Sequence, residues 1–189
     1  MPSHTRLAAA LLLLGGTAAL QAQTDTRVDL AASFLAVRSL QANTGNNFWA
    51  EGGSLELGAD AFHGLGVAAN VSGVHTASIG AGNVPLSLVT ATFGPRYRWH
   101  NGHRVSPYGE ALLGEADGFR SLFPSATGAG DSANSLALQV SGGVDLRLTP
   151  HLAVRALEAS WLRTQLPNGT NDRQNSVRIG AGLVVRFGR

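Results

Sequence analysis

Beginning at residue 27, apolar side chains recur at every second position through eight successive segments. A period of two is what a strand imposes when its faces meet different media, whereas a helix repeats at about 3.6. The segments cover 27–38, 47–61, 65–76, 86–99, 105–115, 135–148, 152–164 and 176–188. The first sets Val28, Leu30, Phe34 and Ala36 against Asp29, Ala31 and Ser33; the last sets Val177, Ile179, Leu183, Val185 and Phe187 against Arg178, Gly180, Gly182 and Arg186. The seventh is ambiguous, because Arg155 and Glu158 fall on opposite faces of a regular strand. After residue 23 no stretch reaches the ~18 consecutive apolar residues of a membrane-crossing helix. The expected fold class is all-β: an up-and-down antiparallel barrel of eight strands.

Alternation does not say which face is inside, and three further features point to a transmembrane barrel with the apolar face outward. The polar face is rich in Gly, Ala and Ser beside scattered charges, as a narrow lumen filled by side chains requires. Aromatics cluster near segment ends, with Trp49, Phe62, Tyr97, Trp99 and Trp161 as candidate interfacial residues. Phe62 belongs there only because it starts a turn. The connections alternate: 62–64, 100–104 and 149–151 are tight turns, whereas 39–47, 77–85, 116–134 and 165–175 are longer and rich in Gly, Asn, Ser and Thr. Short turns then share one side, expected to be periplasmic and to hold both termini.

The N-terminus fits export. A mildly basic start, an apolar run over 7–20 and small residues near Ala22 read as a cleaved signal peptide spanning 1–22, leaving 23–189 as the barrel domain. Charged residues make up 14% of the 189-residue chain, against about 25% in soluble proteins. Net charge is only +2 and basic residues form no patch, so a nucleic-acid partner is not expected. Cysteine is absent, which removes disulfides and thiolate metal sites.

The closing stretch GGVDLRLTPHLAVRALEASWLRTQL, followed by a loop and SVRIGAGLVVRFG, resembles the last hairpins of OmpA-type and related small outer-membrane barrels; TFGPRYRW is similar to a strand of the same proteins. The resemblance covers 26–189. It implies residence in the outer membrane of a Gram-negative-type bacterium, contact with its lipids and lipopolysaccharide, and insertion by the barrel-assembly machinery. The chain departs from the pattern at its end, where Gly188 and Arg189 follow Phe187 in place of a terminal aromatic, and no peptidoglycan-binding domain is expected after the barrel.

With polar faces inward, the lumen charges are Asp29, Glu56, Asp60, Arg96, Arg98, Glu110, Asp145, Arg147, Glu158, Arg178 and Arg186. Charges of both signs in a space this narrow must pair, so a plug of ion pairs is expected rather than a wide channel. Pairing across the 100–104 turn sets Arg96 near Glu110, and these two are expected to bond. Glu158 is placed inward, and Arg155 outward at the interface, where it would snorkel. His100 and His103 share a turn without a third ligand, so no metal or cofactor site is expected. The run 64–69 fits a dinucleotide-binding pattern only superficially, because it opens a strand. Phe119, Leu122 and Phe123 in the third long connection are candidates for a surface loop.

These features favour a non-enzymatic envelope protein with a structural or surface-interaction role. A narrow, porin-like ion channel is the second reading. A lipid A-modifying enzyme is the third, for which the sequence places no acid or serine beside His75, and a soluble lipocalin-like barrel is the fold alternative.

Overall fold

The computed structural model describes residues 27–40, 47–79, 82–99, 104–125, 128–169 and 171–187. The signal region, His100, His103 and the last two residues lie outside these, so the readings placed on them are not addressed. Eight strands, β1 (Arg27–Ser39), β2 (Trp49–Phe62), β3 (Leu65–Ile79), β4 (Val84–Arg98), β5 (Val105–Ser125), β6 (Gly128–Arg147), β7 (Leu152–Thr164) and β8 (Gln174–Phe187), form a closed barrel in sequence order. Every neighbouring pair is antiparallel, and β1 pairs with β8 to close the ring. Closure leaves no strand edge unpaired within the wall, the condition for crossing a bilayer with strands.

Local chemistry sets the tight turns. His63 and Gly64 both have positive φ (48° and 88°), the conformation a two-residue type I′ hairpin demands, with Gly adopting it freely. Between β6 and β7, the Thr149 hydroxyl accepts the N–H groups of His151 and Leu152 at 3.3 and 3.0 Å.

Burial follows the expected period. Along β1, Asp29, Ala31, Ser33, Leu35 and Val37 are buried, while Leu30 and Phe34 face out. In a membrane the outward apolar rows meet acyl chains, so their exposure carries no hydrophobic penalty.

Two features depart from the sequence reading. The 116–134 connection is no loop: β5 and β6 continue through it as a paired ribbon, with Asp117 opposite Asn134, a register shift between Phe119 and Phe123, and Ser125 opposite Gly128. The side chains of Asn134 and Asp117 are bonded at 2.8 Å. Its polar, Gly-rich composition reflects a ribbon standing clear of the barrel wall, since β4 pairing ends at Ser87 opposite Phe119 and β7 pairing at Thr164 opposite Ala137. Likewise β3 and β4 extend into 77–85 as far as the Ile79–Val84 pair. The second departure is a bulge in β7 between Arg155 and Glu158, matched by a shift at Val144/Asp145 on β6. The extra residue turns both side chains inward, correcting the outward placement of Arg155.

Candidate functional site

The lumen is stratified. Its short-turn end holds interlocked ion pairs that gather residues from six strands. Arg96 on β4 spans the interior to grip Asp29 on β1 with two parallel bonds of 2.9 and 2.7 Å, and also bonds Asp60 on β2 at 2.8 Å. A planar fork facing a carboxylate is the strongest geometry such a pair has. Arg98 lies 3.2 Å from both Asp29 and Asp60 and also bonds Asp145. Arg155 donates to Glu56, Asp145 and Glu158 at 3.0, 3.1 and 3.1 Å. Its guanidinium stacks 4.4 Å from the ring centroid of Tyr108, which Arg98 approaches at 5.4 Å. The side chains of Arg96, Arg155 and Asp145 have no exposed surface.

Gly58 makes room for this arrangement. A Cβ there would sit 1.9 Å from Arg96 Nη1, so any larger residue displaces the guanidinium. Above the ion pairs is a layer in which one guanidinium and several neutral side chains share hydrogen bonds. Arg178 donates to Ser160 and Ser72, each at 2.9 Å, Ser72 shares a bond with Thr90 at 2.7 Å, and Gln139 donates to Ser141 at 2.8 Å. The long-loop end is apolar. Leu35, Val37 and Ala50 form one buried cluster, and Ala116, Ala137 and Leu162 another. Phe123 folds back from the ribbon over Gly118 beside Leu166, and a Cβ on Gly118 would lie 2.6 Å from the Phe123 ring.

The residues singled out from the sequence are distributed as follows. Asp29, Glu56, Asp60, Arg96, Arg98, Glu110, Asp145, Glu158 and Arg178 are buried in the interior. Arg186 stands half-buried at the rim, 3.6 Å from Asp145. Arg147 is a correction: it keeps the inward parity of Asp145 but, at the last position of β6, projects past the rim and is exposed. The Arg96–Glu110 bond is a second. The two are register partners, yet the long Arg96 side chain reaches the carboxylates of β1 and β2, and both Glu110 oxygens lack a hydrogen-bond partner. The interior also holds apolar side chains, because Leu35, Val37, Leu112 and Leu162 share the inward parity of the charges.

Trp49, Tyr97 and Trp99 face outward and exposed, Tyr97 and Trp99 packed edge to face at 4.7 Å, and Trp161 is partly covered. The side chain of Phe62 lies outside the described set. On the ribbon, Leu122 is 64% exposed and Phe119 partly so, but Phe123 is buried and is not a surface residue. Tyr108 was not singled out from the sequence, although its inward parity was readable; its stacking between cations was not. On the outer wall, His75 Nδ1 lies 3.0 Å from Ser87 Oγ, and Glu51 is the register partner of His75 on the other side. Among the described residues no group of three or more His, Cys, Asp or Glu could hold a metal ion.

Comparison with known proteins agrees with this architecture. A family profile described as the outer membrane protein beta-barrel domain matches residues 7–187. The fold is similar to that of Ail, the attachment invasion locus protein of Yersinia pestis, solved with the heparin analogue sucrose octasulfate: 16% identity, 87% of this chain, all of that one, TM-score 0.58. Neisserial surface protein A is similar at 17% identity, 87% and 98% coverage and TM-score 0.60. The outer membrane protein OprG of Pseudomonas aeruginosa is similar at 12% identity, 86% and 96% coverage and TM-score 0.50. No curated protein matches the sequence.

Proposed function

The chain belongs to the outer membrane protein beta-barrel family, and from that premise we propose that it is a closed, non-conducting barrel of the outer membrane whose role is to present the β5–β6 ribbon beyond the cell surface. In barrels of this kind the longer connections face outside. The ribbon combines both requirements of a contact surface: a paired backbone, 117–119 against 132–134 and 123–125 against 128–130, and apolar residues, Leu122 above all, left uncovered.

The observation that carries the reading is the packed lumen. Ions crossing it must part the Arg96 and Arg155 networks, whose guanidinium groups have no exposed surface, and then pass an apolar layer capped by Phe123. The sulfated sugar bound by Ail is a fact about that protein. Here the ribbon carries Arg120 together with Asp117 and Asp131, which supplies no cationic excess for a sulfated ligand. Contact is expected with a surface whose apolar groups match Leu122 and Phe119.

Planar-bilayer recording on the refolded barrel tests the closed lumen, with silence expected and steady single-channel steps refuting it. Adhesion of cells displaying the chain, with and without residues 119–131, tests the ribbon. Unchanged adhesion after its removal would refute the interaction role.

A further inference from the structure

Three polar side chains stand in a row across adjacent strands on the outer wall, toward the long-loop end. Ser87 on β4 is the register partner of His75 on β3, and His75 that of Glu51 on β2. The Ser87 hydroxyl is 3.0 Å from His75 Nδ1 and Ser87 as a whole is only 7% exposed, while His75 and Glu51 lie open. The Glu51 carboxylate makes no bond to the ring in this structure, but directly opposed residues on neighbouring strands have Cβ atoms about 5 Å apart, so a rotamer change suffices to bring it there.

Directly below, on the same outward rows, the wall is hollowed. Gly53 and Gly73 face each other across β2 and β3, and with Phe34, Leu55 and Val71 they line a groove of about 620 Å³. A Cβ at Gly73 would meet nothing nearer than Val89 at 3.9 Å, so this glycine leaves open space rather than accommodating a close backbone. Gly53 is two residues from Glu51 and Gly73 two from His75, so the groove runs from the polar row toward the membrane centre. Trp49, next outward after Glu51 with Arg38 over its ring at 5.2 Å, marks the headgroup level. The row thus has water on one side and acyl chains on the other.

We propose that Ser87 and His75, with Glu51 as a positioning residue, form an acyl-ester hydrolase site for lipids of the outer leaflet, one acyl chain lying in the glycine-floored groove. This goes beyond the surface-interaction reading and stands or falls independently of it. The Ser87 oxygen attacks the ester carbonyl carbon as its proton passes to His75. The carbonyl carbon–alkoxy oxygen bond breaks, and the imidazolium returns that proton to the leaving oxygen, freeing the alcohol. Water, deprotonated by His75, then cleaves the acyl-serine, releasing the fatty acid and restoring the hydroxyl. Glu51, brought to the far ring nitrogen, stabilises the imidazolium. With no helix N-terminus to hold the oxyanion among the described residues, turnover is slow, because such donors supply ~10²–10³-fold.

The test uses the full barrel refolded into detergent micelles, treated with an alkyl fluorophosphonate, and separately mixed with vesicles of hexa-acylated lipid A or of diacyl phosphatidylethanolamine while fatty acid release is measured. The expected result is a label on Ser87 and release from one or both lipids, the productive vesicle identifying the lipid class. Ser87→Ala and His75→Gln lower release by about 10²–10⁴-fold, Gly73→Leu raises KM by filling the groove, and Glu51→Gln shifts the pH profile of kcat. Heat-modifiable gel mobility shows that each variant is folded. A folded wild type that releases no fatty acid from either lipid, labelled or not, overturns the proposal, as does release that persists in Ser87→Ala.

Discussion

Replacing Arg155 by Met asks whether the lumen network holds the barrel together. Arg155 serves three carboxylates, and they differ in what each retains without it. Glu56 keeps Arg96 at 3.6 Å and the Asn70 amide at 3.3 Å; Asp145 keeps Arg98 and, at 3.6 Å, Arg186. Of direct partners among the described residues, Glu158 keeps only the Ser33 hydroxyl at 3.2 Å. One buried carboxylate is therefore orphaned, at a cost of about 3–5 kcal/mol for a broken buried pair. Loss of the cation over Tyr108 adds about 1–2 kcal/mol. Arg155→Met should thus lower stability by about 4–7 kcal/mol in all, a large part of what a domain of this size has. Removing the stranded charge as well, in Arg155→Met/Glu158→Gln, should recover up to about 3 kcal/mol relative to the sum of the single changes. Urea unfolding of the barrel in phospholipid vesicles, followed by tryptophan fluorescence, measures each term. Arg147→Ala is the control: exposed beyond the rim, it should change stability by less than about 0.5 kcal/mol. A loss below about 1 kcal/mol for Arg155→Met, or a double variant equal to the sum of its parts, would refute the reasoning.

Two other predictions follow from the packing. Gly58→Leu places atoms where the Arg96 guanidinium lies, 1.9 Å from the position of a Cβ, and should destabilise by at least about 1–3 kcal/mol in the same unfolding assay. Phe123→Ala removes the ring buried against Gly118 and Leu166; it should cost about 3 kcal/mol locally, seen as faster protease cleavage within the ribbon while the heat-modifiable mobility of the barrel is unchanged.

Some of this protein is settled by order along the chain. The outward row Val28, Leu30, Ala32, Phe34, the punctuating His63-Gly64 and Thr149-Pro150 turns, and the depletion of charge specify strand number, face and short turns. All are local, since the pleat alternates whatever the neighbouring strand is. Strand ends are less legible where the ribbon leaves the wall: beyond Phe119 no lipid enforces an apolar face, so a strand reads as a loop.

Tertiary structure alone decided the rest. A bulge at Arg155 breaks the alternation by one residue, and sequence parity has no means of locating it. Arg96 bonds Asp29, 67 positions away, rather than its register partner Glu110, because a long side chain in a narrow lumen can reach every strand and goes where carboxylates are densest. His75 and Ser87 meet because their strands pair in one particular register. Faces are properties of a strand, but partners are properties of the closed ring, and closure brings together residues whose separation along the chain holds no record of it.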